Sequence, residues 1–264
     1  MKKIIIILII AAILITGGAL AYMNRVKIKL AAEKIMKGPL PEAQSPGVFS
    51  YDKDNNSSGG GNVLPNSLTL SQEEDLPESF NLDVPFTSQS PFKKWDEDHQ
   101  ELCEEAAVLM AHYFFEDKIF SGPAEADEEL FKLRDFQIET IGFYESTDAE
   151  ELAGVVDEYW GYDVDLIYDF SVENVKRALF EGYPVILPTA GRILDNPYFR
   201  DPGPIYHMIV IKGWKGDSFI THDPGTGHGA DWVYEYNHVM NSAHDYNGGD
   251  TENGARVMMI MKPR

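Results

Sequence analysis

Three residues that lie far apart in the chain carry side chains suited to nucleophilic catalysis: Cys103, His207 and Asp223. A cysteine attacks as a thiolate, an imidazole takes and returns the proton, and a carboxylate orients the imidazole and stabilises its charged form. Cys103 stands where a predicted helix begins, and the unpaired N–H groups of a helix N-terminus favour a thiolate. A cysteine in this position is also common as an ordinary core residue. Position alone therefore leaves both interpretations open.

The second and third residues belong to a predicted hairpin. His207 precedes an apolar strand, and Asp223 precedes a Pro-Gly turn. A three-residue loop, Trp214–Gly216, would place His207 directly opposite Asp223, with Cβ atoms about 4.5–5.5 Å apart. A two-residue loop would shift the register by one residue and break this pairing. The alternative is a structural histidine at a strand end and an ordinary Asp-Pro-Gly turn.

The elements that position these residues follow from periodicity. Apolar residues at helical spacing after Cys103 (Ala106, Ala107, Met110 and Phe114) predict one buried helix face. Further helices are predicted over 125–138, from a capping box at Thr147–Glu150 to about Trp160, and from an N-cap at Ser171 to Gly182. Strands are predicted over 82–86, 185–187, 208–211, 217–223 and 256–261. Helices thus precede strands, which is typical of an α+β fold with an antiparallel sheet.

Composition excludes several classes of protein. The 264 residues include a single cysteine and carry a formal net charge of -21. One cysteine excludes an internal disulfide and a multi-cysteine metal site. The strong negative charge argues against nucleic-acid binding through a basic face. We expect no cofactor and no metal ion, and the sequence leaves the oligomeric state open.

The N-terminus has the composition of a membrane segment. Lys2 and Lys3 precede a predominantly apolar run from Ile4 to Met23, long enough to cross a bilayer as one helix. Ala19-Leu20-Ala21 also fits a signal-peptidase site, so the run is either an uncleaved anchor, which we favour, or a cleaved signal. Basic residues on both sides give opposing orientation signals. The order of an export signal predicts a single-pass protein whose catalytic domain lies outside the cytoplasm.

A linker is predicted between this segment and the globular part. Proline, glycine, serine and asparagine are frequent from about Gly38 to Glu78, and the Asn55–Gly61 tract has no apolar side chain. Such a composition buries too little surface to offset its ordering entropy. We predict three regions: residues 1–23 as the anchor or signal, 24–79 as a flexible linker, and 80–264 as the folded domain.

The order of several motifs resembles a known family. Val84-Pro85-Phe86-Thr87-Ser88-Gln89, then Cys103 at a helix start, then His207 before an apolar strand, then Asp223-Pro224 are similar to the papain-like cysteine peptidase domain of double-glycine leader peptidases, family 39, and its stand-alone relatives. The stretch from Val172 to Ile186 resembles the helix–Gly–Pro–strand element of the same family. The resemblance covers roughly Leu82 to Met261. It implies a papain-like fold with N-terminal helices packed on an antiparallel sheet.

The resemblance also implies roles for individual residues. Cys103 would be the nucleophile, His207 the general base and acid, and Asp223 the group that orients the imidazole. Gln89 matches the glutamine whose amide helps to form an oxyanion hole, although Gln100 lies nearer in sequence. The chain departs from the family at Glu104-Glu105, where Gly-Pro is frequent, and two carboxylates there oppose a neighbouring thiolate.

The functional prediction is a membrane-tethered cysteine peptidase that hydrolyses peptide bonds in a peptide or protein substrate. An acyltransferase with the same three residues, or a non-catalytic peptide- or wall-binding module, are the alternatives. A metal site at His222, His228 and Asp231 is a further interpretation, although the surrounding glycines indicate a loop.

Overall fold

A computed structural model describes residues 38–49 and 76–264. The compact unit that contains the folded domain runs from Pro41 to Arg264. The predicted membrane segment, 1–23, and most of the predicted linker lie outside the described residues. Among the helices that are described, none combines the length and the apolar character needed to cross a bilayer.

One short strand comes first, three helices follow it, and the later strands alternate with short helices. The helices are α1 Cys103–Phe115, α2 Pro123–Ile141, α3 Ala149–Trp160, α4 Val172–Phe180, α5 Gly191–Leu194 and α6 Tyr236–Ser242. The strands are β1 Ser79–Asn81, β2 Asp163–Tyr168, β3 Val185–Ala190, β4 Tyr206–Lys215, β5 Ser218–His222, β6 Trp232–Glu235 and β7 Val257–Lys262. Short 3₁₀ turns cover Pro46–Val48, His99–Glu101 and Thr251–Asn253.

The strands form one sheet in which every described pair is antiparallel. The strand order is β2-β7-β3-β4-β5-β6, and β1 pairs with β4. The long strand β4 is buried along nearly its whole length and lies at the centre of the sheet. The α+β class and the antiparallel sheet predicted from the sequence are confirmed.

The β4–β5 hairpin differs from the prediction. Lys215 pairs with Ser218, so the loop has two residues, and the expected facing of His207 and Asp223 is wrong. The register shifts between Ile211 and Gly213, where Lys212 is the extra residue of a bulge. With a two-residue loop alone, the side chains of His207 and Asp223 would lie on opposite faces of the sheet. The one-residue shift at the bulge returns them to the same face. Asp223, the residue directly after β5, then lies diagonally across the β4–β5 pair from His207.

Close packing against β1 explains the glycine beside this bulge. A Cβ atom at position 213 would lie 2.4 Å from the carbonyl oxygen of Phe80 and 2.9 Å from the Cα of Asn81. Only a residue without a side chain allows the two backbones to approach this closely. Gly213 therefore fixes β1 against β4.

The helix that begins at Cys103 is buried on more than one face. Ala107, Met110 and Phe114 join the main core against the sheet. Ala106 and Leu109 belong to a second cluster that includes Leu130 of α2. Because α1 lies between the sheet and α2, its first turn is enclosed as well, and Glu104 and Glu105 are 1% and 0% exposed. A single apolar face was expected, and the structure encloses nearly the whole helix.

Several local predictions need correction. The N-cap of α3 is Asp148, which forms a capping box with Glu151, rather than Thr147 with Glu150. The strand predicted over 82–86 is wrong: the strand that pairs with β4 is Ser79–Asn81, and the chain further on reaches the loop after β5, where the Ser88 hydroxyl donates to the carbonyl of Pro224. Ser171 caps α4 as predicted. Strands β2 and β6 and helix α6 were not predicted.

Residues 41–49 pack on the folded domain although they fall within the predicted linker. Gln44 forms a parallel bridge with Leu82, and its backbone N–H donates to the carbonyl of Asn81 at 2.9 Å. The Phe49 ring occupies the space that a side chain at Gly182 would need. These residues extend the domain surface beside β1.

Candidate active site

Cys103 is the first residue of α1 and is 5% exposed. Its thiol donates a hydrogen bond to Oε2 of Glu104, with 2.9 Å between sulfur and oxygen. Burial, followed by the charges of Glu104 and Glu105, raises the pKa of the thiol well above its usual value, while the backbone N–H of Met208 at the sulfur lowers it. In this state the sulfur is a protonated thiol, and its hydrogen bond goes to Glu104 rather than to an imidazole.

His207 is the second residue of β4 and is 2% exposed. Its Nε2 lies 2.8 Å from Oδ1 of Asp223, which leaves Nδ1 as the nitrogen able to exchange a proton elsewhere. Phe199 packs edge-on against the ring, with centroids 5.1 Å apart. A Cβ atom at Gly225 would lie 2.7 Å from Cε1 of His207, so the backbone of this loop closes directly over the imidazole.

Asp223 directly follows β5 and is completely buried. Its carboxylate accepts hydrogen bonds at 2.8 Å from Asn196 Nδ2 and the Tyr234 hydroxyl, and at 3.0 Å from the N–H of Gly225. Burial alone would raise its pKa, but the charge of His207 and the hydrogen bonds from His207, Tyr234 and Asn196 outweigh burial and lower the pKa. The carboxylate is thus ionised and fixed in place.

Gln89 lies in the same region, and its amide is already occupied. Its Nε2 donates to the carbonyls of His99 at 2.9 Å and Gln100 at 3.0 Å, while the buried Oε1 has no hydrogen-bond partner within the described part of the chain. Its backbone N–H donates to Pro224, which ties this segment to the loop after Asp223. Both amide hydrogens of Gln89 are thus directed at main-chain carbonyls. The side chain of Gln100 is exposed and donates to the carbonyl of Asp96.

A cleft of about 530 Å³ brings these residues together. Cys103, His207 and Gln89 line it, and Asp223 lies behind the imidazole. The remaining walls are formed by the segment around Trp95 and Glu101, by residues 198–204, by Tyr206 and by residues 225–228. The cleft is large enough for a short stretch of extended peptide.

Two site residues were missed by sequence reasoning. Asn196 follows α5 and Tyr234 lies on β6, and together they hold the second oxygen of Asp223. Neither has a spacing relative to Asp223 that predicts contact. A buried tyrosine hydroxyl requires a partner, but β6 was not predicted, so the sequence did not indicate that Tyr234 is buried.

The metal interpretation is not supported by the contacts of His222. Its Nε2 lies 2.8 Å from the carbonyl of Val84, and its Nδ1 accepts from the N–H of Asp231 at 3.1 Å. His228 packs against Tyr198. Within residues 38–49 and 76–264, no three histidine, cysteine or acidic side chains are grouped so that they could hold a metal ion.

An α+β domain with a cysteine at a helix start and a His–Asp pair in the same cleft defines a protein of the cysteine-peptidase-like class. Residues 81–249 match the model of the Peptidase_C39 like family, so the chain belongs to that family. The crystal structure of a C39-like peptidase candidate from Bacillus anthracis is similar, with 16% identity and a TM-score of 0.45 over 71% of this chain and 99% of that chain. No curated protein matches the chain.

Proposed function

We propose that this chain is a cysteine peptidase that hydrolyses peptide bonds with Cys103, His207 and Asp223. The observation that carries the proposal is the buried His207–Asp223 pair, joined at 2.8 Å, in the cleft that Cys103 also lines. Family membership supports a peptidase-type enzyme. The buried carboxylate of Asp223 accepts four hydrogen bonds, which hold it where it can orient the imidazole and stabilise its charged form.

The proposed reaction proceeds in two stages. Nδ1 of His207 takes the proton of Cys103, and the sulfur attacks the carbonyl carbon of the substrate. The C–N bond breaks as His207 returns the proton to the leaving amine. His207 then takes a proton from water, and the hydroxide attacks the carbonyl carbon of the thioester. The C–S bond breaks, the carboxylic acid product leaves, and His207 returns the proton to the sulfur. Asp223 holds the imidazole and stabilises its charged form throughout.

The developing oxyanion requires donors near the sulfur. The backbone N–H of Cys103, at the first position of α1, is one proposed donor. Gln89 is the proposed second donor, and it would release one of its two carbonyl bonds, to His99 or Gln100, when substrate binds. This exchange costs one hydrogen bond and gains a charge-assisted one.

We also propose that residues 4–23 tether the enzyme to the cell membrane as a single span, with the peptidase domain outside the cytoplasm. The apolar run and the preceding Lys2 and Lys3 support this proposal. Protease added to intact cells tests it: digestion of the domain is expected, and protection of the domain would contradict the orientation. Recovery of the full-length chain in the soluble fraction would contradict the tether.

The peptidase proposal is tested with a mixed pool of unstructured peptides and mass spectrometry of the products. The purified chain is expected to cleave peptides, and Cys103→Ala and His207→Ala are expected to abolish cleavage. His244→Asn is the matched histidine control, because the hydrogen bond between His244 Nδ1 and the carbonyl of Gly254 is one that asparagine can mimic. Cleavage that survives Cys103→Ala would overturn the proposal. Amide products formed with an added amine would instead identify an acyltransferase.

A further inference from the structure

Two buried carboxyl groups beside the sulfur have no part in the proposed reaction. Glu104 contacts the thiol through Oε2, and its Oε1 accepts from the backbone N–H of Thr147 at 3.1 Å. Glu105, one residue further, has no hydrogen-bond partner for either oxygen among the residues that the structure describes. Carboxyls are rarely enclosed without a cation or a task.

The contact with Thr147 determines where a proton on Glu104 must reside. A backbone N–H donates only, so the oxygen that faces it must stay an acceptor. A neutral Glu104 therefore carries its proton on Oε2, the oxygen that faces the sulfur. Neutral Glu104 can donate to a thiolate, whereas ionised Glu104 can only accept from the thiol and hold its proton in place.

We propose that Glu104 is a further catalytic residue, which in its neutral form donates the Oε2 hydrogen to the thiolate of Cys103. This inference rests on the proposed function. His207 takes the thiol proton, and the negative sulfur then exchanges its role from donor to acceptor in the existing 2.9 Å contact. No bond to the carboxyl is made or broken in this step. Ionised Glu104 opposes the thiolate by charge.

The surroundings keep Glu104 neutral up to a higher pH than is usual for a glutamate side chain. Burial, opposed by the hydrogen bonds from Cys103 and the backbone and assisted by the charge of Glu101, raises its pKa to about 8. The titratable and charged groups around it are Cys103 and Glu105 on α1, Glu101 before α1, Arg134 of α2 beyond Glu105, Tyr206 on β4, and Asp245 beyond Tyr206.

The test is the rate at which iodoacetamide alkylates Cys103 between pH 5 and pH 10, because the single cysteine makes the reaction unambiguous. Because a thiol loses its proton as pH rises, we expect the wild-type rate to increase with pH, but less steeply above about pH 8, where ionised Glu104 opposes the thiolate. In Glu104→Gln the amide oxygen keeps the Thr147 contact and the NH₂ group faces the sulfur, so this flattening should disappear. At pH 9 the variant should react about tenfold faster than the wild type, since one pH unit is one factor of ten.

Glu105→Gln is the matched control, because it replaces a neighbouring buried carboxyl that the structure does not place in contact with the sulfur; the flattening near pH 8 should remain. A Glu104→Gln profile that coincides with the wild type would overturn the inference. If that variant does not fold, the wild-type profile decides, since a rate that keeps the full tenfold rise per pH unit of a single thiol ionisation past pH 8 would also overturn it. Alkylation does not require peptide turnover, so peptide cleavage without the expected profile rejects only the role of Glu104. The expected profile without peptide cleavage rejects the proposed function alone.

Discussion

The strand side and the helix side of the cleft favour opposite charge states. On the strand side, Asp223 is ionised and accepts four hydrogen bonds, and its partner His207 is clamped by Phe199 and the backbone of Gly225. On the helix side, Cys103 is surrounded by Glu104 and Glu105, and burial raises the pKa of all three groups. The strand side stabilises a charge, whereas the helix side resists one.

This difference separates positioning from activation. A fully satisfied carboxylate fixes the imidazole in one orientation before substrate arrives. The thiol remains protonated until the imidazole and a hydrogen-bond donor share the charge of the sulfur. We therefore expect changes on the strand side to act mainly on turnover, and changes on the helix side to act on pH dependence.

The largest expected effect comes from Asp223→Asn, which removes the negative charge behind His207. Turnover of a cleaved peptide should fall by about 10²–10⁴-fold, because the imidazolium loses its stabilising partner. Steady-state kinetics of the purified variant measures this. Asp217→Asn, at the exposed turn of the same hairpin, is the control and should retain activity. If Asp223→Asn is as active as the wild type, the charge on the strand side does not support turnover, and the proposed difference between the two sides is wrong.

Gly225→Ala should displace the imidazole without changing any charge. The added methyl group would lie 2.7 Å from Cε1 of His207 and 2.9 Å from Phe199, so one of them must move. Turnover should fall on the order of 10²-fold, the cost of a misplaced catalytic group. Gly154→Ala, where the added methyl meets nothing within 4 Å, is the control. Unchanged turnover in Gly225→Ala would show that the clamp on His207 is unimportant.

Tyr234→Phe should lower the free energy of unfolding, because it removes a hydrogen bond that supports Asp223. It removes one donor to Asp223 and leaves Asn196 with one acceptor fewer, at a cost of about 1–2 kcal/mol in urea unfolding at pH 7. Because the pKa of Asp223 is lowered on folding, its stabilisation is present above its unfolded pKa and is lost as pH falls. The variant should therefore differ less from the wild type in acid. Tyr236→Phe, whose hydroxyl contacts the exposed turn at Gly216, is the control; equal losses in both variants would contradict a special role for Tyr234.

Glu105→Gln should change the pH dependence of stability on the helix side. Burial raises the pKa of Glu105 in the folded state, so the folded chain holds more protons than the unfolded chain and stability falls as pH rises above about 4.5. In the variant, the free energy of unfolding should decline less steeply with pH than in the wild type, by up to about 1.4 kcal/mol per pH unit. Urea unfolding at pH 5, 6 and 7 measures the slope. Glu158→Gln, on the exposed face of α3, should leave the slope unchanged. If the free energy of unfolding of Glu105→Gln changes with pH as steeply as that of the wild type, this buried carboxyl does not cause the pH dependence of stability.

The sequence predicted the elements that local periodicity encodes and missed what depends on distant pairing. Helix α1, the cap at Ser171 and the central strands follow from spacing alone. The bulge at Lys212 does not, because the shift in pairing between Ile211 and Gly213 is a property of how two strands align and leaves no local spacing signal. Likewise Asn196 and Tyr234 meet Asp223 only through tertiary packing. Glu104 and Glu105 are buried because α2 covers a second side of a helix that was expected to bury only one face.

The most direct test of the account is the intact mass of the chain, quenched in acid during turnover of a peptide ester. Esters acylate a cysteine nucleophile faster than amides, so the thioester accumulates. We predict an increase equal to the mass of the acyl part, located on the peptide that contains Cys103 and absent in Cys103→Ala. Hydrolysis of the ester without any adduct, at a rate that Cys103→Ala leaves unchanged, would contradict a thiol nucleophile in this cleft.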